Sequence, residues 1–198
     1  MKNLLGRLFK RVASQEDMPS EQASEKTPVE ERHKFVSVET EHFQVLLGKQ
    51  WDERHSDDPE QRVFEHRKLD LGLTISSMGF QDFPDSKISG LANELMRARF
   101  EAVQKFSKFT HDPLHVIENE ISEMSWGMQV TLLTTSNSGK SMFFVGFVSR
   151  KFLVQITLES TTLGLDVMND EYGKILSSVR MTDDVWEPGH TPPNIPIH

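Results

Sequence analysis

The run Met142–Val148 constrains the fold of this chain more than any other segment. Its sequence, MFFVGFV, is apolar at successive positions rather than at alternate ones. Side chains of a strand point alternately to the two faces of a sheet, so a strand with one wet face shows alternation. This run therefore predicts a central strand with covering layers both above and below it.

The flanking sequence supplies the other strands of such a sheet. Alternating apolar residues predict half-buried strands, and the polar excursion after Trp51 predicts a loop or hairpin. Ser136–Gly139 and Ser149–Lys151 have the composition of hairpin turns. The predicted strands are His42–Lys49, Arg62–Lys68, Leu69–Ser77, Leu114–Met124, Gly127–Thr135, Ser141–Ser149 and Phe152–Glu159.

Two segments have the 3.6-residue period of an amphipathic helix. The first begins at Ser86 or Ser89 and ends near Phe109, shortly before Pro113, and the second is Asp166–Arg180. We expect the inward positions to be Ile88, Leu91, Leu95, Ala98, Ala102, Val103 and Phe106 in the first helix and Val167, Met168, Tyr172, Ile175, Leu176 and Val179 in the second.

The order of these elements, three strands, a helix, four strands and a helix, predicts an α+β fold. Hairpin connections make the sheet antiparallel, and a doubly apolar central strand calls for helices on both sides. We expect a largely antiparallel six- to seven-stranded sheet with one helix layer on each face, an α/β/α sandwich, over residues 34–184. Residues 185–198 carry Trp186 and four prolines, which predicts a Pro-rich extended tail.

Residues 1–12 form a basic amphipathic segment with the spacing of a helix. Its apolar side is Met1, Leu4, Leu5, Leu8, Phe9 and Val12, and its cations are Lys2, Arg7, Lys10 and Arg11. Twelve residues make a marginal helix in water, so we expect it to form on contact. Three contacts stay open: an anionic membrane surface, a groove on a partner protein, or the chain's own domain.

Residues 13–33 connect this segment to the predicted domain. They hold six acidic residues against Lys26 and Arg32, together with two prolines and almost no apolar side chains. Such a stretch buries too little apolar surface to offset its ordering entropy, which predicts an acidic disordered linker.

Composition excludes several classes of chemistry. The chain has no cysteine, which rules out disulfides, zinc–thiolate sites, iron–sulfur clusters and thiol catalysis. Its formal net charge of −8 argues against a general nucleic-acid binder. The sequence lacks a long apolar run for a membrane-spanning helix, and cations interrupt the N-terminal apolar residues where a signal peptide needs continuity. We therefore expect a cytoplasmic protein.

Two motifs invite a binding interpretation. Ser138-Gly139-Lys140-Ser141 is similar to the end of a phosphate-binding loop, but Thr134 occupies the position where that loop needs glycine, and a strand follows it. We interpret it as a hairpin turn. His55, Asp57 and Asp58 are possible hard ligands within one polar loop, and we interpret them as solvated charges, so no metal site is predicted.

The remaining polar residues do not converge on a catalytic set. Glu118 and Glu120 share a strand face without a recognisable partner, and no serine has the context of a nucleophile elbow. We interpret four histidines as surface or capping residues: His42, His66, His111 and His115. The sequence thus predicts no catalytic residue and no cofactor, and a protein that is not an enzyme.

The order of segments resembles the PsbP-like superfamily. The resemblance is carried by a strand ending at Trp51, then LGLTISSMGF, the helix with ARFEAVQKF, the meander MFFVGFVSRKFLVQITL and the closing helix EYGKILSSVRM, over roughly residues 36–182. It implies an α/β/α sandwich whose last helix delivers a short terminal strand.

The resemblance also implies a class of function. Known members mostly bind other molecules: a photosystem II extrinsic subunit, a nuclear-import factor for a small GTPase, bacterial lipoproteins and chaperones of type VI secretion effectors. We therefore expect a non-catalytic bacterial protein-binding module, a secretion-associated chaperone, adaptor or immunity protein whose partner is another protein, such as an exported effector or secretion component. Its binding face would be a sheet edge or the groove beside the long helix. The alternative is a peripheral inner-membrane protein tethered by residues 1–12. The oligomeric state stays open.

Overall fold

A computed structural model describes residues 35–39, 43–81 and 83–181 of the chain. The elements follow in the order β1 (Phe35–Glu39), β2 (Phe43–Gly48), β3 (Trp51–Arg54), β4 (Gln61–His66), β5 (Gly72–Gly79), α1 (Asp85–Phe109), β6 (His115–Met124), β7 (Gly127–Thr135), β8 (Ser141–Val148), β9 (Phe152–Ser160), α2 (Leu165–Ser178) and β10 (Arg180–Met181). The predicted segments 1–12, 13–33 and 185–198 lie outside the described residues.

Seven strands form one large sheet in the order β3-β4-β5-β9-β8-β7-β6. Every neighbouring pair is antiparallel, as hairpin connections require. Strand β8 lies between β7 and β9, and every one of its residues except Met142 is buried. The prediction of a covered central strand from MFFVGFV is therefore confirmed.

A second, three-stranded sheet has the order β1-β2-β10. Strand β2 was expected in the large sheet, and this expectation is wrong: its buried side chains Phe43, Val45 and Leu47 pack against the large sheet as part of a covering layer. The seventh strand of the large sheet is instead β3, in the region predicted as a loop or hairpin. Strand β10 pairs with β2, which confirms the short terminal strand implied by the resemblance.

Helix α1 covers one face of the large sheet, where it packs on β7 and also contacts β8 and β6. It begins after Pro84, whose fixed φ suits a helix start, and Asp85 in the first turn complements the helix dipole. Its buried residues are Ile88, Ala92, Met96 and Val103. The prediction of Ala98, Ala102 and Phe106 as inward positions is wrong, because the sheet does not meet that flank of the helix and all three are exposed.

Helix α2 and the small sheet cover the opposite face. Tyr172 of α2 is buried with its ring centroid 4.8 Å from that of Phe143 in β8. Val167, expected to point inward, is 43% exposed in the first turn of α2. The helix ends at Ser178 rather than Arg180, because the Val179 amide closes the last turn on Leu176 and the chain then enters β10.

The core consists of two hydrophobic clusters, one on each face of the large sheet. The larger cluster joins the sheet to α2 and the small sheet, and the smaller one joins it to α1. These layers confirm the predicted α+β sandwich. No helix within the described ranges is long and apolar enough to cross a membrane.

Candidate binding groove beside the long helix

Helix α1 leaves part of its own sheet face uncovered. Strand register places Gly72 opposite Glu159, Thr74 opposite Thr157 and Ser76 opposite Gln155, all on the side of α1. These residues are half-buried or exposed, whereas Leu73 and Ile75 of β5 are buried on the other face. The sequence folds this way because β5 alternates between polar and apolar residues and β8 does not.

A groove of about 810 Å³ lies between α1 and the end of this uncovered strip at Gly72 and Glu159. Its apolar wall is formed by Val103 and Phe106 of α1, Leu114 and Met142. Phe106 is 43% exposed, so the wall presents apolar surface to solvent. The groove also contains charged side chains, namely Arg99, Lys140, Glu65, Asp70 and Glu159.

Arg99 is the most unusual side chain in the groove. Its guanidinium carbon lies 4.2 Å from the centroid of the Phe144 ring, and Nη2 donates a hydrogen bond to Oε1 of Gln155. Burial lowers the pKa of Arg99 below its usual value, and no acidic neighbour offsets this cost. Within the described ranges, no carboxylate forms an ion pair with Arg99.

Asp70 fastens the loops at one end of the groove. Its Oδ2 accepts hydrogen bonds from the Thr161 amide at 2.9 Å and from the hydroxyls of Thr161, Thr162 and Ser160. These donors, led by the Thr161 hydroxyl, lower the pKa of Asp70. The β4–β5 turn is thereby tied to the loop that follows β9.

Asp112 fastens a second pair of loops in the same way. Its carboxylate accepts hydrogen bonds from the amide and hydroxyl of Ser138, which ties the end of α1 to the β7–β8 hairpin. Hydrogen bonds from Ser136 and Ser138 lower the pKa of Asp112. Between these two ties, the groove is built on loops that are held in place by charge-assisted hydrogen bonds.

His66 lies at the rim of the groove and holds the β4–β5 turn. Its Nδ1 accepts hydrogen bonds from the amides of Lys68 at 3.2 Å and Leu69 at 3.0 Å, and its ring meets the edge of Trp51. Because Nδ1 is an acceptor, the neutral ring carries its proton on Nε2. The interpretation of His66 as a capping residue is confirmed.

The groove's hydroxyl groups are already engaged. Ser160 donates to Asp70, and Ser141 shares a hydrogen bond with Thr135. His66 uses Nδ1 to hold the turn rather than to approach a hydroxyl. What the groove offers is apolar contact surface, a guanidinium and acidic side chains, which suits binding of a partner group.

Most residues singled out from the sequence lie away from the groove. His55 and Asp57 are exposed, with Nε2 and Oδ1 3.6 Å apart, and Asp58 caps the turn before Gln61. In the described part of the chain, no group of three or more histidine, aspartate or glutamate side chains could hold a metal ion. The segment Ser136–Gly139 is a hairpin turn as predicted, with Gly139 at a φ of +93°.

The partner- or membrane-binding residues predicted within 1–12 lie outside the described residues. Sequence reasoning missed Arg99, for which a signal was present. Arg99 follows Ile88 by eleven residues and precedes Val103 by four, so it falls on the buried stripe of α1. A charged residue on an apolar stripe is informative because charged side chains are rarely buried without a partner.

The described residues form an α+β sandwich with a groove beside its long helix. No protein-family model and no curated protein matches the sequence. Among solved structures, the chain is similar to cyanobacterial PsbP from Synechocystis sp. PCC 6803, with 15% identity and a TM-score of 0.58 over 75% of this chain and 93% of that one. This likeness shows the fold alone.

A crystal structure from Bacteroides thetaiotaomicron VPI-5482 also matches, with 12% identity and a TM-score of 0.37. The match covers 76% of this chain and 47% of the other chain. A likeness at this level carries no argument about either fold or function.

Proposed function

We propose that the chain is a non-catalytic, cytoplasmic binding module that accepts a segment of another protein in the groove beside α1. The observation that supports this most directly is the uncovered half of the large sheet. There, apolar side chains of α1 line one continuous depression together with Gly72 of β5 and with Glu159 and Ser160 of β9. A concave surface with apolar walls and a few polar groups is the usual form of a binding site.

The fastened loops support binding by a rigid site. Asp70 and Asp112 tie the loops at the groove, so little conformational entropy remains to be lost when a partner is bound. The engaged hydroxyls and the tied imidazole support a role without covalent chemistry. Together with the resemblance of the sequence, this favours a secretion-associated chaperone, adaptor or immunity protein.

Site-specific photo-crosslinking tests the proposal. A benzophenone amino acid replaces Ala102, which is exposed and lines the groove, and the matched control replaces Glu101, which is exposed but does not line the groove. We expect position 102, in the cells that produce the protein, to crosslink a discrete polypeptide that position 101 does not. Identical adducts at both positions, or no polypeptide adduct at position 102, would contradict the proposal.

A second candidate function is peripheral attachment to the inner membrane through residues 1–12. It is favoured by the segregation of Leu4, Leu5, Leu8 and Phe9 from four cations in this segment. The test is flotation of the full chain with vesicles rich in anionic lipid and with neutral vesicles. We expect binding to anionic vesicles only, and its loss when residues 2–12 are deleted or Leu8 is replaced by Glu. Binding that survives the deletion would contradict this candidate.

A further inference from the structure

Arg99 occupies a position on α1 where the packing of the helix calls for an apolar side chain. It lies between Met96 and Val103 on the stripe that faces the sheet. Its stem follows this stripe and its guanidinium reaches the border between the covered and the uncovered strands, over Phe144 of β8 and beside Gln155 of β9. Arg99 is therefore placed by the core and opens into the groove.

The guanidinium has unused hydrogen-bonding capacity. Arginine carries five N–H donors in a planar fork, and its hydrogen-bond acceptor here, Gln155, is neutral. No described carboxylate pairs with it, although Glu65, Asp70 and Glu159 line the same groove. A partly desolvated cation with free donors and no counter-ion is complementary to an anionic group from outside the described chain.

We propose that Arg99 is the point at which the groove recognises a carboxylate, presented as Asp or Glu next to an apolar residue in a segment of a partner protein. This proposal rests on the proposed function. The carboxylate would accept two parallel N–H bonds from the guanidinium fork, and the neighbouring apolar side chain would cover Phe106 and Met142. The groove thus offers a guanidinium for the carboxylate and apolar side chains for the neighbouring residue of such a ligand.

The charges around Arg99 favour a carboxylate over a phosphate. The groove is lined by two cationic side chains, Arg99 and Lys140, and by three acidic ones, Glu65, Asp70 and Glu159, so its lining carries a net negative charge. A dianionic phosphate would meet that net charge with twice the repulsion of a single carboxylate. A guanidinium that stacks on an aromatic ring also suits the planar carboxylate group.

Peptide selection tests this proposal with a defined probe. A phage-displayed library of random peptides is selected on the full chain, and groove binders are identified as the peptides that the variant Ala102→Trp no longer binds. Ala102 is exposed and lines the groove, so tryptophan there fills the site without entering the core. We expect the groove binders to be enriched in Asp or Glu next to an apolar residue.

Substitutions of Arg99 then separate recognition from folding. For a selected peptide, we expect Arg99→Gln to weaken binding about tenfold or more and Arg99→Lys to weaken it less. In the Arg99→Gln variant, replacing the acidic residue of the peptide by its amide should weaken binding no further. Selection on Arg99→Glu is expected to enrich Lys or Arg at the same peptide position. Urea unfolding of each variant, with Arg99→Met as a reference, confirms that the fold is kept.

The outcomes distinguish this proposal from the proposed function. Groove binders without acid enrichment, or groove binders that Arg99→Gln binds equally well, would overturn the role of Arg99 while leaving the binding groove in place. If no selected peptide is blocked by Ala102→Trp, both proposals are overturned. If the full chain is a dimer in sedimentation and the Ala102→Trp variant is a monomer, a second copy of the chain fills the groove. That result would overturn the proposal that the groove recognises a carboxylate of a partner protein.

Discussion

The two halves of the large sheet differ on the face that α1 covers, although they share one hydrogen-bonded ladder. In a single row across the strands, Leu132 pairs with Phe144, Phe144 with Thr157, and Thr157 with Thr74. Leu132 and Phe144 are buried under α1, whereas Thr157 and Thr74 are only half-buried. The border of the covered region therefore runs between β8 and β9, where apolar side chains give way to polar ones.

The opposite face shows no such border. Leu73, Ile75, Phe143 and Ile156 all belong to the same buried cluster there. Across β5, β9 and β8, one face of the sheet is therefore largely buried in the core, whereas the other face is covered mainly at β8. The groove therefore arises because a single long helix covers only part of a wide sheet, and the residue pattern of each strand matches its cover.

The largest expected effect concerns the row that crosses the border. Phe144→Ala removes a fully buried ring under α1, and we expect a loss of about 3–5 kcal/mol in the free energy of unfolding. Thr157→Ala, at the paired position on β9, is expected to change it by about 0.5 kcal/mol or less. Urea unfolding of both variants measures the contrast.

The slope of each unfolding curve with urea provides the control, since it reports whether two-state behaviour is retained. Equal losses for Phe144→Ala and Thr157→Ala would contradict the comparison, because they would show that the half beside the groove is packed as closely as the half under the helix.

A smaller effect is expected from two glycines that occupy the same face. A Cβ atom added at Gly146 would lie 2.5 Å from Cδ2 of Leu95, which α1 holds against the sheet. A Cβ added at Gly72, in the uncovered half, would make an ordinary 3.4 Å contact with Glu159, which is exposed. We expect Gly146→Ala to destabilise the fold by about 1 kcal/mol and Gly72→Ala to leave it unchanged or slightly more stable.

Thermal unfolding of the two alanine variants measures this difference as a shift of Tm. A lower Tm for Gly72→Ala than for Gly146→Ala would mean that the strip beside the groove is the more tightly packed region. That result would remove the physical basis of the groove.

The covered half of the sheet was predicted well because a strand that is buried on both faces has a continuous run of apolar residues. The run at β8 and the turn at Ser136–Gly139 were both identified correctly, the first from continuous apolarity and the second from its turn residues. Alternation in β2, by contrast, shows that one face is buried but not which sheet the strand joins. In the small sheet it pairs with β1 and with β10, and β10 is far away along the chain.

The groove was anticipated only by its position beside the long helix. Helical periodicity alone assigned Ala102 and Phe106 to the interior, since it cannot show that the sheet ends its contact with α1 on that flank. A helical stripe identified from its apolar residues leaves out Arg99, because Arg99 is charged. Its register with Ile88 and Val103 was the usable signal, but its partners Phe144 and Gln155 are distant in sequence.

The smallest effect concerns pH and the tie at the uncovered half. Burial, opposed by Glu171 and reinforced by Lys174 and Lys68, lowers the pKa of His66 below its usual 6.5. At this site the unfolded chain binds a proton more readily than the folded chain, so the contribution of His66 to stability rises with pH up to about 6.5 and is level above it. Asp112, the tie at the covered half, has a lowered pKa and keeps its charge through this window.

We therefore expect acidification from about pH 7.5 to about pH 5 to loosen the uncovered half first. Protonation of Nδ1 would remove the acceptor that holds the amides of Lys68 and Leu69, and hydrogen exchange at these two amides should accelerate relative to the amide of Ser138. In His66→Asn, whose side-chain oxygen does not titrate, this acceleration should disappear. A histidine and an aspartate of lowered pKa titrate in separate pH ranges. If acidification accelerates exchange at the Ser138 amide as much as at the amides of Lys68 and Leu69, the two ends of the groove are therefore not held by these two different groups.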